Sequence, residues 1–304
     1  MIRPATLQKG DIVGIVGLAC KIDITQILPA VAVLEQWGLN VILGESVYSA
    51  YHQFAGNDEL RRDDFQKMLD NQDIKAIFSA RGGYGSSRIL GQLDYSQFAQ
   101  NPKWIIGFSD ITAVHGQLHR LGFESLHATM PKLFTQIGGE FSLESLRKCL
   151  FGEALNYQIT PHCFNRLGQA KGRLIGGNLC LVAHLLGSDD EMDSDGKILF
   201  LEDVSEYLYA IDRFMVQLKR AKKLDKLAGL IVGHFSETQD NAVPFGKSPY
   251  EIIQEHVQDF DYPVCYGFSV GHEPDNWAMP CGRNLTLVVE ENQVILSEKL
   301  YLMK

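Results

Sequence analysis

The N-terminal half of the chain alternates between short apolar runs and segments with helical spacing, and this alternation limits the possible folds most strongly. Asp11–Gly17, Asn40–Leu43 and Ile74–Phe78 have the composition of strands, whereas Ile24–Trp37 and Asp58–Leu69 carry apolar residues at helical spacing. Strands that alternate with helices usually form a parallel sheet with helices on both faces. The sequence therefore predicts an α/β fold whose N-terminal domain has a mostly parallel, doubly wound sheet.

Two segments at predicted carboxyl ends of strands carry reactive groups. Ser109 follows the apolar run Trp104–Gly107, where a helix N-terminus would favour a nucleophile. Ser79–Gly85 follows the third strand, and its glycines allow N–H groups to converge on an anion, although it could also be a simple tight turn. Ligands bind at this edge of parallel sheets. The alternative for Ser109 or Asp110 is a cap on the helix through Val114–Leu121.

The periodicity of apolar residues changes near the middle of the chain and suggests two domains. The helical pattern ends before Gly138–Gly139, and Gly152–Lys171 has no sustained period. We predict an N-terminal domain at residues 1–140, a linker at 141–170 and a C-terminal domain at 171–304, which is a β-rich α/β domain. A length of 304 residues with 45% hydrophobic residues is enough for two domains of this kind.

Charge and composition exclude several classes of partner. A net charge of -9 without a basic cluster argues against nucleic acid, and no apolar stretch is long enough for a membrane helix. The N-terminus lacks the h-region of a signal peptide, so we expect a cytoplasmic protein. The six cysteines form no C-x-x-C pair, which favours reduced thiols over disulfides or a zinc site.

Two further polar residues follow predicted strands in the C-terminal half. Glu202 comes directly after the apolar run Ile198–Leu201, and His272 lies in Phe268–Asn276 after another strand. Acyl transfer by a serine requires a base, a group that orients the base and donors for the oxyanion. Taken singly, Glu202 and His272 could each be structural residues.

Five short motifs, in this order, resemble the L,D-carboxypeptidases, a serine peptidase family that also includes microcin-immunity hydrolases. The resemblance covers nearly the whole chain, and five motifs in register across two domains are highly specific. The motifs are Arg81–Gly85, Gly107–Asp110, Gly176–Asn178, Leu201–Asp203 and Gly271–His272.

The resemblance implies a role for each candidate residue. Ser109 would be the nucleophile, His272 the general base and then acid, and Glu202 the residue that orients His272. The N–H groups of Gly83 and Asp110 would form the oxyanion hole. The resemblance also implies that the active site lies at the interface of the two domains.

The resemblance further implies a muramoyltetrapeptide carboxypeptidase that releases terminal D-alanine from murein tetrapeptide in cytoplasmic cell-wall recycling. It implies a homodimer. We expect no cofactor or metal, because a serine mechanism needs only proton transfer and N–H donors and the sequence offers no credible set of metal ligands. The microcin-immunity branch, an amidase or peptidase alternative, has a longer segment after the catalytic glutamate than Glu202–Tyr209 provides. Asn178 is the candidate for contact with substrate, unless it is only a helix cap, and the sequence departs from the family at Glu273–Trp277.

Two other classes of protein compete with this interpretation. A metal hydrolase could use His115, His119 and His127, but a zincin requires glutamate where this chain has Gly116. A ligand-binding protein could hold a nucleotide phosphate in the glycine-rich loop. That interpretation leaves the serine, glutamate and histidine motifs unexplained.

Overall fold

The chain divides into two compact units, each with its own sheet. The structure, a computed structural model, describes residues 1–298. Unit 1 comprises Met1–Glu153 and Pro274–Pro280, and unit 2 comprises Ala154–Glu273 and the residues from Cys281 onward. These units differ from the predicted limits at 140 and 171, because regular elements occupy much of the predicted linker 141–170. The predicted limit at residue 304 lies outside the described residues.

The first part of the chain forms alternating strands and helices. In chain order, they are β1 (Ile12–Val16), α1 (Leu28–Gln36), β2 (Asn40–Leu43), α2 (Asp58–Asp70), β3 (Ile74–Ser79), α3 (Ser96–Gln100), β4 (Trp104–Gly107), α4 (Thr112–Leu121), β5 (Ser125–His127) and α5 (Glu140–Leu150).

The later part of the chain is richer in strands. In chain order, it forms β6 (Asn156–Ile159), β7 (Gly168–Asn178), α6 (Leu179–His184), β8 (Ile198–Val204), α7 (Leu208–Arg220), β9 (Gly229–Ser236), α8 (Pro249–Val257), β10 (Val264–Tyr266), β11 (Met279–Cys281), β12 (Asn284–Val289) and β13 (Val294–Ser297).

The sheet of unit 1 has the strand order β11-β5-β4-β3-β1-β2. All neighbouring pairs from β5 to β2 are parallel, which confirms the prediction of a mostly parallel sheet. The central strands are buried along nearly their whole length, as expected for strands covered on both faces. The segment after the glycine-rich loop forms two 3-10 turns, at Ser86–Arg88 and Leu90–Gln92.

The sheet of unit 2 has the strand order β10-β9-β8-β7-β12-β13-β6 and is half parallel and half antiparallel. The long strand β7 joins the two halves: Gly168–Arg173 pair antiparallel with β12, and Leu174–Asn178 pair parallel with β8. This architecture confirms the predicted β-rich α/β domain. Within residues 1–298, no helix is long and apolar enough to cross a membrane.

Strand β8 is longer than its apolar run suggested. The sequence indicated that Glu202 follows the strand, but β8 continues to Val204 because β9 pairs with it beyond Leu201. Glu202 therefore lies within the strand, near its carboxyl end. Helix α8 was not predicted, although Ser248 and Glu251 form a capping box, a signal that the sequence contains.

Candidate active site

Ser109 lies at a strained turn directly after β4. Its φ is +65°, a left-handed conformation that few residues other than glycine adopt. Such strain is typical of a nucleophilic serine that a strand-to-helix turn presents at the edge of a sheet. The turn is also tight, since a Cβ added at Gly107 would lie 2.9 Å from the Ile111 side chain. The backbone around Ser109 thus has the geometry expected of a nucleophile.

The alternative in which Ser109 or Asp110 caps the following helix is wrong. Phe108 and Ile111 occupy the N-cap positions of the 3-10 turn and of α4, and neither cap has a side-chain hydrogen bond. The Asp110 carboxylate instead accepts a hydrogen bond from the Ser86 N–H at 2.8 Å. The Ser86 hydroxyl donates to the Asp110 carbonyl oxygen at 2.7 Å. Burial raises the pKa of Asp110, while its hydrogen bonds with Ser86 oppose that rise.

The glycine-rich loop passes directly against Ser109. A Cβ added at Gly82 would lie 3.0 Å from the Ser109 Cβ and 3.1 Å from its Oγ, so only a glycine fits there without a shift. Gly83 has a φ of +119°, and a Cβ there would lie 2.3 Å from the Cys20 Sγ. In the part of the chain that the structure describes, no protein group accepts a hydrogen bond from the Gly83 N–H. The N–H of Asp110 lies in the first turn of a helix, where such groups lack an intrahelical partner.

Arg61 of α2 holds this loop in place through hydrogen bonds to backbone carbonyl groups. Its side chain is fully buried, and its Nη1 donates to the carbonyl oxygens of Leu18 and Gly85, the latter at 2.9 Å. Its Nη2 donates to the Asp58 carboxylate. No pattern in the sequence distinguishes this residue, because Arg61 is one of several charged residues on α2. One buried guanidinium therefore ties the glycine-rich loop to the loop after β1.

In unit 2, Glu202 and His272 form a hydrogen-bonded pair. The Glu202 side chain is fully buried, and its Oε2 accepts a hydrogen bond from His272 Nδ1 at 2.7 Å. A neutral imidazole that donates from Nδ1 carries its lone pair on Nε2. Gly271 makes this approach possible, since its φ is +134° and a Cβ there would lie 3.2 Å from Glu202 Oε2. The structure thus brings together the predicted base and its predicted orienting group.

An irregularity in strand pairing lies at Glu202. The register between β8 and β9 shifts between Leu201 and Asp203, opposite Gly233 and His234. A Cβ added at Gly233 would lie 3.3 Å from the Glu202 Cβ, so β9 passes close to the glutamate. Bulges of this kind redirect side chains and are common beside active sites.

The charges around His272 favour its protonated form. Burial lowers its pKa, but the charge of Glu202 and the hydrogen bond to it outweigh that effect, with smaller contributions from Asp203 and Glu237. The net result is a pKa above the ordinary histidine value. His272 is therefore suited to accept a proton and to be stabilised as an imidazolium.

Asn178 is a helix cap, as the alternative interpretation of the sequence held. Its Oδ1 accepts a hydrogen bond from the Leu181 N–H at 3.2 Å, and its Nδ2 donates to Asp203 Oδ1 at 2.7 Å. Asp203 also accepts from the Cys180 N–H at 2.9 Å. Burial, followed by the charge of Glu202, raises the pKa of Asp203 to about 7. Contact between Asn178 and substrate stays a prediction.

His115, the first ligand of the metal-hydrolase alternative, is a core histidine. Its Nε2 lies 2.9 Å from the Gly107 carbonyl oxygen and its Nδ1 lies 2.8 Å from the Ser125 hydroxyl. Burial lowers its pKa to about 4, so the ring is neutral near pH 7. Both ring nitrogens are thus engaged by the protein, and metal binding would break one of these hydrogen bonds.

The chain is thus an α/β protein that carries a strained serine in unit 1 and a hydrogen-bonded glutamate–histidine pair in unit 2. Two family models match the chain: residues 13–128 match the LD-carboxypeptidase N-terminal domain, and residues 171–287 match the LD-carboxypeptidase C-terminal domain. The chain belongs to the LD-carboxypeptidase family and is a serine carboxypeptidase.

Individual relatives agree with this assignment. A probable murein peptide carboxypeptidase of Bacillus subtilis is 33% identical over 97% of this chain and 94% of its own length. The microcin C7 self-immunity protein MccF of Escherichia coli is 26% identical over 97% of this chain and 95% of its own length. The crystal structure of muramoyltetrapeptide carboxypeptidase from Oxalobacter formigenes superposes with a TM-score of 0.85 at 26% identity, covering 94% of this chain and 98% of that one.

Proposed function

We propose that this protein hydrolyses the L,D bond that precedes a terminal D-alanine in murein tetrapeptide. Ser109 is the nucleophile, His272 is the general base and Glu202 orients His272. The hydrogen bond between Glu202 Oε2 and His272 Nδ1 carries the proposal, because it presents Nε2 as the proton acceptor that a serine requires. The names of the carboxypeptidase relatives support the choice of substrate.

The proposed reaction has two halves. In the first, Ser109 Oγ attacks the scissile carbonyl carbon as its proton moves to His272 Nε2. The N–H groups of Gly83 and Asp110 donate to the oxyanion, and the buried charge of Glu202 stabilises the imidazolium. The C–N bond then breaks, and the amine of D-alanine leaves with the proton from His272. In the second half, His272 activates a water that hydrolyses the acyl-enzyme.

One assay tests this proposal. Purified protein is incubated with murein tetrapeptide that ends in D-alanine and with the analogue that ends in L-alanine. We expect mass spectrometry to detect loss of alanine only from the first peptide, and we expect Ser109→Ala to abolish that loss. Equal cleavage of both peptides would indicate a general peptidase, and cleavage of neither would refute the proposal.

We further propose a role in cell-wall recycling in the cytoplasm, by a homodimer. The short path from Glu202 to α7, which begins at Leu208, supports the carboxypeptidase branch over the microcin-immunity branch. Including an acyl sulfamoyl nucleoside in the same assay tests the second branch. Its hydrolysis at a higher kcat/KM than murein tetrapeptide would favour an immunity function.

A further inference from the structure

A cavity in unit 2 opens beside Glu273, the residue that follows His272. Its volume is about 280 Å³, and it is lined by the end of β9 (His234–Ser236), the start of α8 (Ser248–Tyr250) and Glu273. The cavity adjoins the loop of the proposed base, because Glu273 follows His272 directly. The His234 N–H also donates to the Val270 carbonyl oxygen at 2.8 Å, which fixes the end of β9 against that loop.

The walls of the cavity are largely apolar. Phe235, Pro249 and Tyr250 line it, and the rings of Phe235 and Tyr250 lie 6.5 Å apart between centroids. The Tyr250 hydroxyl donates to the Gly233 carbonyl oxygen at 3.0 Å, so its hydrogen bond is made within the protein. Such walls suit the methylene groups of an aliphatic chain.

A buried hydroxyl in the lining has no protein partner. Ser236 is only 9% exposed, and its Oγ makes no hydrogen bond with any of residues 1–298. A buried hydroxyl without a partner is unfavourable and is rare in folded proteins. By contrast, the Ser248 hydroxyl hydrogen-bonds Glu251 in the capping box at the start of α8. Ser236 Oγ is therefore a hydrogen-bonding group that a ligand could satisfy.

The charge in and near the cavity is negative. Glu273 is the carboxylate of the lining, which contains neither lysine nor arginine among the described residues. Glu237 follows the lining residues of β9, and its charge contributes to the raised pKa of His272. Lys247 comes just before the lining residues of α8, but its ammonium group forms an ion pair with Glu255. The cavity therefore favours a cation.

We propose that this cavity is a specificity subsite for an aliphatic side chain that ends in an ammonium group. Glu273 is the ion partner of the ammonium group, Ser236 Oγ accepts one of its hydrogen bonds, and the apolar walls hold the methylene chain. The inference rests on the proposed function, since it assigns the cavity to the diamino acid at the third position of the tetrapeptide. Glu273 is thus a specificity-determining residue of the proposed reaction.

The test compares two pairs of tetrapeptides that differ only in the distal amine of the third residue. One pair carries meso-diaminopimelate or 2-aminopimelate, and the other carries L-lysine or L-norleucine. In each pair that the wild type cleaves, we expect kcat/KM to favour the amine-bearing peptide about tenfold or more, as for a charge-assisted hydrogen bond. Glu273→Gln should bring this ratio close to one, and Ser236→Ala should lower it by a smaller factor.

Glu291→Gln is the matched control, because it removes one exposed charge from the same unit at the turn between β12 and β13. It should keep the wild-type ratio. A wild-type ratio near one, or an unchanged ratio in Glu273→Gln, would overturn the subsite while leaving the proposed function standing. Cleavage of none of the four peptides would instead count against the proposed function.

Discussion

Ser109 and His272 belong to one chemical unit in the proposed mechanism, so the effects of losing them should not add. Ser109→Ala and His272→Ala should each lower kcat by about 10⁴ or more, and the double variant should be no worse than either single variant. Steady-state kinetics measure the losses, and circular dichroism with thermal melting serves as the folding control. Near wild-type turnover in folded Ser109→Ala would refute the assignment of the nucleophile.

The strained backbone conformation of Ser109 predicts that a substitution which abolishes activity can nevertheless stabilise the fold. Its φ of +65° is unfavourable for any residue with a Cβ, whereas glycine adopts it readily. Ser109→Gly should therefore be inactive but more stable than Ser109→Ala by about 1 kcal/mol. Denaturant unfolding of both variants gives the difference. A less stable glycine variant would show that Ser109 is not strained.

The environment of His272 predicts the pH dependence of activity. Because the pKa of His272 is raised, activity should increase with pH around a midpoint above about 6.5, the ordinary histidine value. Glu202→Gln removes the charge that raises this pKa, so the midpoint should move to lower pH while kcat falls by up to about 10⁴. A pH–rate profile of kcat/KM measures both effects. An unchanged midpoint in Glu202→Gln would contradict this account.

The same pair links stability to pH. A histidine whose pKa is raised by folding stabilises the protein fully below its unfolded pKa of about 6.5. That contribution is lost as the pH rises through the higher folded value. In urea titrations, the free energy of unfolding of the wild type relative to that of Glu202→Gln should therefore fall as the pH rises through this range. Asp203, whose pKa Glu202 also raises, changes this difference in the same direction.

At the scale of elements, Arg61 connects α2 with the glycine-rich loop. Arg61→Met leaves the buried carbonyl oxygens of Leu18 and Gly85 without their donor and should destabilise the fold by about 3 kcal/mol. If the variant folds, kcat should fall more than KM rises, because the oxyanion donors lose their alignment.

Arg61→Lys and Arg62→Gln are the controls for this prediction. Lysine can still donate to one of the two carbonyl groups and should recover part of the kcat. Arg62 is the neighbour on α2 and bonds the exposed Asp63 carboxylate, so Arg62→Gln should keep wild-type kinetics. Equal losses of kcat in the variants at both positions would argue against a special role for Arg61.

Strands β1 to β4 of unit 1 could be predicted from the sequence, because each is a largely apolar run that needs no distant partner to be recognised. Strands β6 and β11 could not, since they are short and their pairing depends on residues far away in the chain. Strand β9 continues past Val232 to Ser236 only because Asp203 and Val204 pair with it. Tertiary pairing therefore determines the surroundings of Glu202.

The residues of the candidate site can likewise be divided into those that the sequence marks and those that only the structure reveals. Ser109, Glu202 and His272 could be named because strand ends and a family resemblance mark them. The buried contacts of Arg61 and the unpartnered hydroxyl of Ser236 could not be, since a sequence does not reveal which arginine or serine becomes enclosed. Periodicity indicates the face on which a residue lies, but not the hydrogen bonds that it makes there.

At the scale of the whole molecule, the proposed mechanism requires only proton transfer and N–H donors. We therefore expect exhaustive chelation to leave kcat and KM unchanged, and added zinc to give no activation. The measurement is the tetrapeptide assay before and after chelation, with a known zinc peptidase as the positive control. Loss of turnover that zinc restores would refute the serine mechanism.

The position of β11 in the chain means that the ribosome makes this strand long after its neighbour in the sheet, β5. This strand lies next to β5 in the sheet of unit 1, yet it is translated after most of unit 2. While the ribosome makes the intervening residues, β5 is left as an open edge of a nascent sheet, and open edges pair readily with other chains. Newly made polypeptide is thus exposed to aggregation until β11 emerges, and a chaperone that shields β5 during this interval should raise the yield of folded protein.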